Sequence, residues 1–289
     1  MAGRYIDLHT HSLASDGSDK PSEVVQKAAE RGLAAVALTD HDTIAGLDEA
    51  EEAASRLKID CIRGIEIAVS AEFGEMHLLG LWMPKPSQTM RDALSLLRKN
   101  RLSRNQAMLN ALTAKGMSLS MEEVKAVSGG EALGRPHIAL ALYRKGYVSS
   151  RKEAFERYIG WGKEAYVPRI LLSPQEGIRL LREEGATVAI AHPCLSPWMT
   201  EERLNDILSE YRACGLTAVE AYHSAHDDGK IRLCVKMAAK HGLLLTGGSD
   251  YHGENKENVA LGVGRGNLRI PFWVLTQLRE HRKRAGLWV

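Results

Sequence analysis

The chain has 289 residues, of which 44% are hydrophobic and 26% charged, so it is long enough for one large domain with a sizeable core. Its formal net charge of +2 excludes a polybasic coat for nucleic acid but allows a local basic pocket, and its four cysteines form no CxxC pair that would indicate a zinc knuckle. Because the N-terminal segment lacks an apolar signal core and no apolar run approaches the roughly 20 residues that span a bilayer, we expect a cytoplasmic protein without a membrane or obligate protein partner.

Short apolar runs alternate with amphipathic stretches along most of the chain. Helices fit between most of the runs, and Ser173 to Glu176 has the pattern of a capping box with Pro174 at the first helical position. The repeating strand–helix order predicts an α/β fold with a parallel sheet, open or closed into a barrel. The predicted strands are residues 5–8, 34–38, 59–65, 77–82, 187–190, 217–221 and 243–246.

One segment, from about residue 100 to residue 167, contains helical signals and no convincing buried strand. Capping-box patterns begin at Ser120 and Ser150, and a long helix is predicted from about residue 88 to residue 115. We therefore predict a barrel made of residues 1–99 and 168–289, with residues 100–167 as a helical insertion that caps the active site.

Histidines and carboxylates occur mostly where the predicted strands end. In α/β barrels the carboxyl ends of the strands gather on one rim, where active sites are built, so these side chains should converge. His77 begins its strand, and it reaches the same rim only if that strand runs antiparallel to its neighbour. The candidates are His9, His11, Asp16, His41, Glu66, His77, His192, Asp250 and His252.

These residue types favour a metal centre. His9 and His11 are two residues apart, a spacing that points both rings to one face of a strand, and Asp250 and His252 repeat it. Imidazole with carboxylate suits Mn, Fe or Zn, whereas Mg and Ca prefer oxygen ligands. A lone histidine at a strand end is more often structural, but nine candidates exceed the needs of one ion and predict two or three ions bridged by a carboxylate such as Glu66. Asp16 lies in a loop, where capping a turn is its alternative role.

Taken in order, the motifs resemble those of the polymerase and histidinol phosphatase (PHP) superfamily from one end of the chain to the other. They are His9-x-His11 with Asp16, Thr39-Asp-His41-Asp, Glu66, His77, Ala191-His192-Pro and Ser249-Asp-x-His252. The resemblance implies a distorted barrel of seven strands with a trinuclear metal centre. Its first ion would bind His9, His11, Glu66 and Asp250; its second Glu66, His77 and His192; and its third Asp16, His41 and His252. Asp40 and Asp42 have no ligand role in this pattern and are expected to orient imidazoles.

A narrower resemblance concerns the insertion, the segment Gly134-Arg-Pro-His137 and the segment Glu220-Ala-Tyr-His223. All three are similar to the branch that contains the 3′,5′-nucleoside bisphosphate phosphatases, with related members that act as 5′-to-3′ exoribonucleases on short RNA. The resemblance implies a phosphoesterase for monoesters of small nucleotides, with short 5′-phosphorylated RNA as a further substrate class. A metal-bridging hydroxide would be the nucleophile, and no side chain would attack phosphorus.

Arg135 and His223 are the predicted phosphate contacts, because guanidinium offers phosphate a planar fork. Each has an alternative: Arg135 as a surface ion pair, with Pro136 simply starting a helix, and His223 as a core residue. Four basic residues of the helical region are expected to form a solvated face rather than a lid. They are Arg98, Lys99, Arg101 and Arg104.

Two other functions compete with this prediction. A histidinol-phosphate phosphatase would use the same kind of centre but generally lacks the Arg-Pro-His insertion. A non-catalytic, metal-stabilised module is disfavoured because the ligand set is intact. An amidohydrolase would need a metal-bridging carboxylated lysine, and no strand end offers a good candidate.

Overall fold

The computed structural model describes residues 4–72, 74–128, 133–196 and 198–289. The strands are β1 (Tyr5–Thr10), β2 (Ala35–Leu38), β3 (Asp60–Ala71), β4 (Gly74–Leu81), β5 (Thr187–Ile190), β6 (Ala218–His223), β7 (Leu244–Gly248) and β8 (Ile270–Pro271). The helices are α1 (Pro21–Glu30), α2 (Leu47–Leu57), α3 (Gln88–Thr113), α4 (Met121–Ser128), α5 (Arg135–Arg144), α6 (Arg151–Ala154), α7 (Pro174–Glu183), α8 (Glu201–Cys214), α9 (Asp228–Lys240) and α10 (Trp273–Arg284). No described helix is long and apolar enough to cross a membrane.

The strands form one sheet in the order β7-β6-β5-β4-β3-β2-β1-β8. Most neighbours are parallel, but β4 is antiparallel to both β3 and β5. That reversal brings His77, near the start of β4, beside Ala68 of β3 and so to the same end of the barrel as the residues that follow the parallel strands. The condition set for His77 from the sequence is met.

The sheet closes nearly into a barrel between β1 and the end of β7. Asp250 N–H donates to the His9 carbonyl at 2.9 Å, and His11 N–H donates to the Tyr251 carbonyl at 2.8 Å. Gly248 permits this approach, since a Cβ there would lie 2.2 Å from the Cβ of His9. The predicted distorted barrel is confirmed, with one difference: the two-residue β8 pairs antiparallel with β1 and adds an eighth strand to the expected seven.

Helix α3 links two hydrophobic clusters. Its first half contributes Met90, Leu94 and Leu97 to the core that packs against the barrel. Its second half contributes Met108 and Leu112 to a separate cluster with α4, α5 and the residues up to Ala165. The change of cluster falls within α3, close to the predicted start of the insertion at residue 100, although the helix itself begins at Gln88.

Candidate metal centre

The nine candidate ligands converge at the carboxyl end of the barrel. His9 lies on β1, Glu66 on β3 and His77 on β4, while His11 directly follows β1 and the others lie in loops that follow β1, β2, β5 and β7. Glu66 lies inside β3 rather than at its end, because β3 and β4 continue as a long hairpin beyond the point where β2 stops pairing. Four overlapping groups of three or four ligand atoms lie within 4.8 Å of one another: His11, Asp16, His41, His252; His9, Glu66, His192; His9, His11, Asp250; and His41, Glu66, His77.

Glu66 is the centre of this cluster. Its Oε1 lies 2.8 Å from Nδ1 of His77 and 3.0 Å from Nε2 of His192. Its Oε2 lies 3.3 Å from Nε2 of His9, 3.2 Å from Nε2 of His11 and 3.0 Å from Nδ1 of His41. The two oxygens therefore face different sets of imidazoles, as a carboxylate that bridges two cations must.

Asp250 and Asp16 complete the cluster on the side opposite His77. Asp250 Oδ1 lies 3.3 Å from Nε2 of His11 and 3.4 Å from Nδ1 of His252, and its Oδ2 is paired with Lys256. Asp16 Oδ1 lies 3.2 Å from Nε2 of His252. Asp16 thus lies close to His11, His41 and His252, within one of the groups that could hold an ion.

The pKa values of the histidines in the cluster fall into two groups. Burial lowers the pKa of His41 to about 3 and that of His192 to about 4, so both rings are neutral at pH 7, the form that binds a metal ion. Burial opposes protonation of His11 and His77 as well, but Asp250 and Glu66 beside His11 raise its pKa to about 9, and Glu66 beside His77 raises its pKa to about 10. Without cations, the site therefore balances its carboxylates with imidazolium protons.

The donor set fits divalent ions. Within the described chain, Oε2 of Glu66 and Nδ1 of His41 are buried without a well-oriented hydrogen bond, although they lie 3.0 Å apart. Despite their burial, Asp16 and Glu66 have pKa values well below the ordinary range because neighbouring imidazoles stabilise their charge. Charged carboxylates and imidazole nitrogens that converge in a buried site suit Mn, Fe or Zn, and the protein binds divalent metal ions.

Glu220 on β6, which the sequence marked only as part of the segment Glu220 to His223, positions two of the candidate ligands. Its fully buried carboxylate accepts a hydrogen bond from Nδ1 of His9 at 2.8 Å and one from the backbone N–H of His192 at 2.7 Å. The first contact fixes the tautomer that leaves Nε2 of His9 free to face Glu66. A charged residue inside the apolar run 218–221 was the available signal, because a buried carboxylate requires partners.

Two ligands have strained backbones. His192 has φ 29° and Asp250 has φ 56°, in the left-handed region that residues with a Cβ seldom adopt. Such strain concentrates at functional sites, where the surrounding contacts hold it. Here Glu220 holds the His192 backbone, and the His9 carbonyl holds that of Asp250.

Asp40 and Asp42 act on loops and on arginines, so the expectation that they orient imidazoles directly is not met by their hydrogen bonds. Asp40 accepts from the backbone N–H and the hydroxyl of Ser12, both at 2.7 Å, and thereby fixes the loop after His11. Asp42 accepts from Arg101 at 2.5 Å and from Arg169 at 3.0 Å. The short side chains of Asp40 and Asp42 form their hydrogen bonds with these neighbours and not with an imidazole.

A cavity of about 790 Å³ opens over the cluster. Arg135, at the first turn of α5, lines it and lies over the ring of Tyr166 at 5.6 Å, with no ion pair among the described residues. His223 is fully buried: its Nδ1 accepts from the Ala225 N–H at 3.1 Å and its Nε2 lies 3.2 Å from Asp250 Oδ2. Arg135 thus faces the cavity, whereas His223 contacts the ligand Asp250.

Two of the four basic residues that the sequence predicted to be solvated are buried. Arg98 and Lys99 are exposed as expected, but Arg101 and Arg104 are buried and line the cavity. The expectation of one solvated face is wrong for this pair. Their side of α3 turns towards the barrel, where Asp42 draws in the guanidinium of Arg101.

A second, aromatic cleft of about 280 Å³ adjoins the cavity and shares His77, Arg135 and His192 with it. Trp161 and Trp198 line the cleft and are each about half exposed, at 55% and 51%. Aromatic rings that remain accessible beside a polar site offer a flat surface for a planar ligand group.

Comparison with known proteins agrees with this geometry. Residues 7–166 match the model of the PHP domain. The chain is 34% identical over 252 residues to a 5′-3′ exoribonuclease of Haemophilus influenzae, across 87% of this chain and 91% of that protein. It is 32% identical over 271 residues to a 3′,5′-nucleoside bisphosphate phosphatase of Chromobacterium violaceum, across 93% and 95% of the two chains. A solved structure described as an amidohydrolase from C. violaceum, with bound sulfate and no metal, superposes with a TM-score of 0.84 at 30% identity, across 95% of this chain and 96% of that one. The chain belongs to the PHP domain family and is a metal-dependent phosphoesterase.

Proposed function

We propose that this enzyme hydrolyses phosphate monoesters of small nucleotides such as 3′,5′-nucleoside bisphosphates, with short 5′-phosphorylated RNA as a further substrate class. One observation carries the proposal: nine candidate metal ligands cluster together, and seven of them line a cavity that Arg101, Arg104 and Arg135 also line. The relatives support it, since one is named as a bisphosphate phosphatase and another as a 5′-3′ exoribonuclease.

The ligand groups are assigned to three ions. His9, His11, Glu66 and Asp250 would hold the first, Glu66, His77 and His192 the second, and Asp16, His41 and His252 the third. The Glu66 distances support a bridge between the first two groups, because its Oε2 faces the rings of His9 and His11 while its Oε1 faces those of His77 and His192. Its Oε2 also lies 3.0 Å from Nδ1 of His41, a residue of the third group. Bound at these positions, Mn, Fe or Zn ions supply a hydroxide nucleophile at neutral pH and neutralise charge on the phosphoryl oxygens.

The protein's own residues bind and orient the substrate. Arg135 presents its guanidinium to a phosphoryl oxygen from the cavity wall, with the fork geometry that phosphate favours. His223 supports Asp250 from the buried side and reaches the phosphate only if that pair rearranges. Residues 100–167 form the cap over the cavity, since Arg101, Arg104 and Arg135 all enter it from that segment.

The aromatic cleft favours a nucleotide over histidinol phosphate. Trp161 and Trp198 line a cleft that His77 and His192 also line, so the base of a nucleotide whose phosphate lies at the metal site would have this cleft beside it. Stacking of a nucleobase on an accessible aromatic ring is tolerant of base identity. Histidinol phosphate, which is smaller, would leave this cleft unused.

A phosphate-release screen tests the proposal. The substrates are adenosine 3′,5′-bisphosphate, mononucleotides, short oligoribonucleotides and histidinol phosphate, each with Mn²⁺ supplied. We expect the nucleotides to be hydrolysed with higher kcat/KM than histidinol phosphate. His9→Ala and Asp250→Ala should each lose at least roughly a hundredfold in activity while retaining the circular dichroism of the folded chain.

The matched control is His281→Ala, which removes an exposed imidazole on α10 and should leave the rates unchanged. Full activity in either ligand variant would refute the site. A wild-type enzyme that prefers histidinol phosphate would refute the substrate assignment.

A further inference from the structure

Two buried cysteines lie against each other beside the loop that carries His192. Sγ of Cys194 is 3.5 Å from Sγ of Cys234, and the two residues are 6% and 0% exposed. Because 40 positions separate them along the chain, the fold brings these two thiols together. The other free cysteines, Cys61 and Cys214, lie on β3 and at the end of α8 and are only partly buried.

The two sulfurs are close enough to form a covalent bond after a small movement. A disulfide holds its sulfur atoms about 2.0 Å apart, so Sγ of Cys194 and Sγ of Cys234 need to approach each other by about 1.5 Å. Cys234 lies inside α9, a helix of 13 residues, whereas Cys194 lies in a turn of three residues, Pro193–Leu195. Because the helix is the longer hydrogen-bonded element, the turn should take up most of the movement.

This turn is joined directly to His192. The Leu195 N–H donates to the His192 carbonyl at 3.1 Å, and the His192 N–H donates to Glu220 at 2.7 Å. These contacts hold the left-handed backbone of His192, whose ring lies 3.0 Å from Oε1 of Glu66. A pull on Cys194 towards α9 therefore acts on the backbone that positions this imidazole.

We propose that Cys194 and Cys234 form a reversible disulfide when a peroxide oxidises the protein, and that this bond displaces His192 and weakens metal binding. The modification itself goes beyond the proposed function. Its effect on the metal centre rests on the assignment of His192 as a ligand.

The oxidation proceeds in two steps. Cys194 reacts first, since it alone of the pair has exposed surface, and its sulfur takes one oxygen atom from hydrogen peroxide to give a sulfenic acid and water. The sulfur of Cys234 then attacks the sulfur of Cys194, the S–S bond forms, and the sulfenic oxygen leaves as a second water. Two external thiols reverse the modification, because they reduce the disulfide and are themselves joined as a disulfide.

Peptide mapping tests the bond itself. Metal-free protein is treated with hydrogen peroxide, its remaining thiols are alkylated in denaturant, and the digest is analysed by mass spectrometry. We expect a peptide pair joined through Cys194 and Cys234 that a reductant separates. The matched controls Cys61→Ala and Cys214→Ala should form the same bond. Oxidised wild type without this bond, or with other cysteines joined in its place, would overturn the inference.

Competition with a coloured chelator tests the effect on the metal centre. Oxidised wild type should bind Mn²⁺ roughly tenfold to hundredfold more weakly than reduced wild type, as is typical when a ligand loses its support, and a reductant should restore the affinity. Cys234→Ala, which cannot form the bond, should bind Mn²⁺ equally well before and after peroxide treatment. Cys194→Ala takes its place if Cys234→Ala does not fold.

Two outcomes of that measurement would contradict the inference. A disulfide that leaves the Mn²⁺ affinity unchanged would show that the bond does not displace His192. An equal loss of affinity in Cys234→Ala after peroxide would assign the effect to oxidation elsewhere in the chain.

The effect should also be reciprocal. At equilibrium with reduced and oxidised glutathione, saturating Mn²⁺ should favour the dithiol form by the same factor by which the disulfide weakens Mn²⁺ binding. An equilibrium that does not respond to Mn²⁺ would overturn the link between the two cysteines and the metal. All these measurements are made without substrate, so a reduced, metal-loaded enzyme that releases no phosphate from any substrate would refute the proposed function alone.

Discussion

Glu220→Gln should weaken metal binding without removing a ligand. The carboxylate now accepts two hydrogen bonds, from Nδ1 of His9 at 2.8 Å and from the N–H of His192 at 2.7 Å. Glutamine has nearly the same shape but only one acceptor atom, so one of the two donors must face an NH₂ group. That donor is buried and stays unsatisfied, and the other loses a charged acceptor.

The magnitude follows from these two contacts. Loss of a charge-assisted hydrogen bond and burial of an unsatisfied donor together should destabilise the metal-free protein by about 2–3 kcal/mol. For a chain of 289 residues the midpoint of thermal unfolding should fall by roughly 3–5 °C. Partners that orient metal ligands typically change metal affinity by roughly tenfold to hundredfold, and the same loss is expected here because two ligands lose their support.

Competition with a coloured chelator measures the Mn²⁺ affinity, and calorimetry with a chelator present measures the unfolding midpoint. Activity should recover partly at high Mn²⁺, since all nine ligand side chains remain, and a merely structural defect would not show this recovery. Glu201→Gln, which breaks an exposed pair with Lys236, is the control and should change neither quantity measurably. Wild-type affinity and an unchanged midpoint in Glu220→Gln would refute the positioning role.

Two further predictions concern protonation and the base. The metal-free enzyme should be most stable near pH 6.5, the ordinary pKa of histidine. As the pH falls below 6.5, His41 and His192 take up protons only in the unfolded chain, which favours unfolding. As the pH rises above 6.5, His11 and His77 lose their protons first in the unfolded chain, so the stability that their protonated forms give the folded chain decreases. Stability should fall on either side by up to about 1.4 kcal/mol per pH unit for each group, and a midpoint that rises steadily to about pH 8 in chelator would contradict this assignment. Trp161→Ala should raise KM for nucleotides by roughly fivefold to hundredfold but not for glycerol phosphate, which has no base to stack. The exposed Trp273→Ala is its control, and equal KM changes for both substrates would exclude stacking.

The strands and the ligand cluster were predictable because each depends on a local pattern. Buried strands are short apolar runs, and the observed strands β1 to β7 overlap all seven predicted ones. The ligands follow from topology, since polar residues after parallel strands meet at one rim whatever the angles of the sheet. The sequence therefore predicted that Asp250 lies near His9, and His252 near His11, although 241 positions separate the residues of each pair.

The burial of Arg101 and Arg104 on α3 was not predictable in the same way. Helix α3 carries basic residues on several sides, and its sequence does not show which side turns towards the barrel. That choice depends on Asp42, whose carboxylate is 59 positions from Arg101 in the sequence and 2.5 Å away in space. Glu220 could be given no role from the sequence for a related reason: its partners, His9 on β1 and the backbone of His192 after β5, are distant from it along the chain.

Asp42 links the two halves of the site. It directly follows the ligand His41, has φ 52°, and accepts a hydrogen bond from each of Arg101 and Arg169. Its carboxylate also accepts from the Ala68 N–H on β3 at 3.1 Å, which fixes it to the strand that carries Glu66. Because one buried carboxylate is shared by two guanidiniums, it ties the positions of Arg101 and Arg169 to the strand that carries Glu66 and to the turn that carries His41.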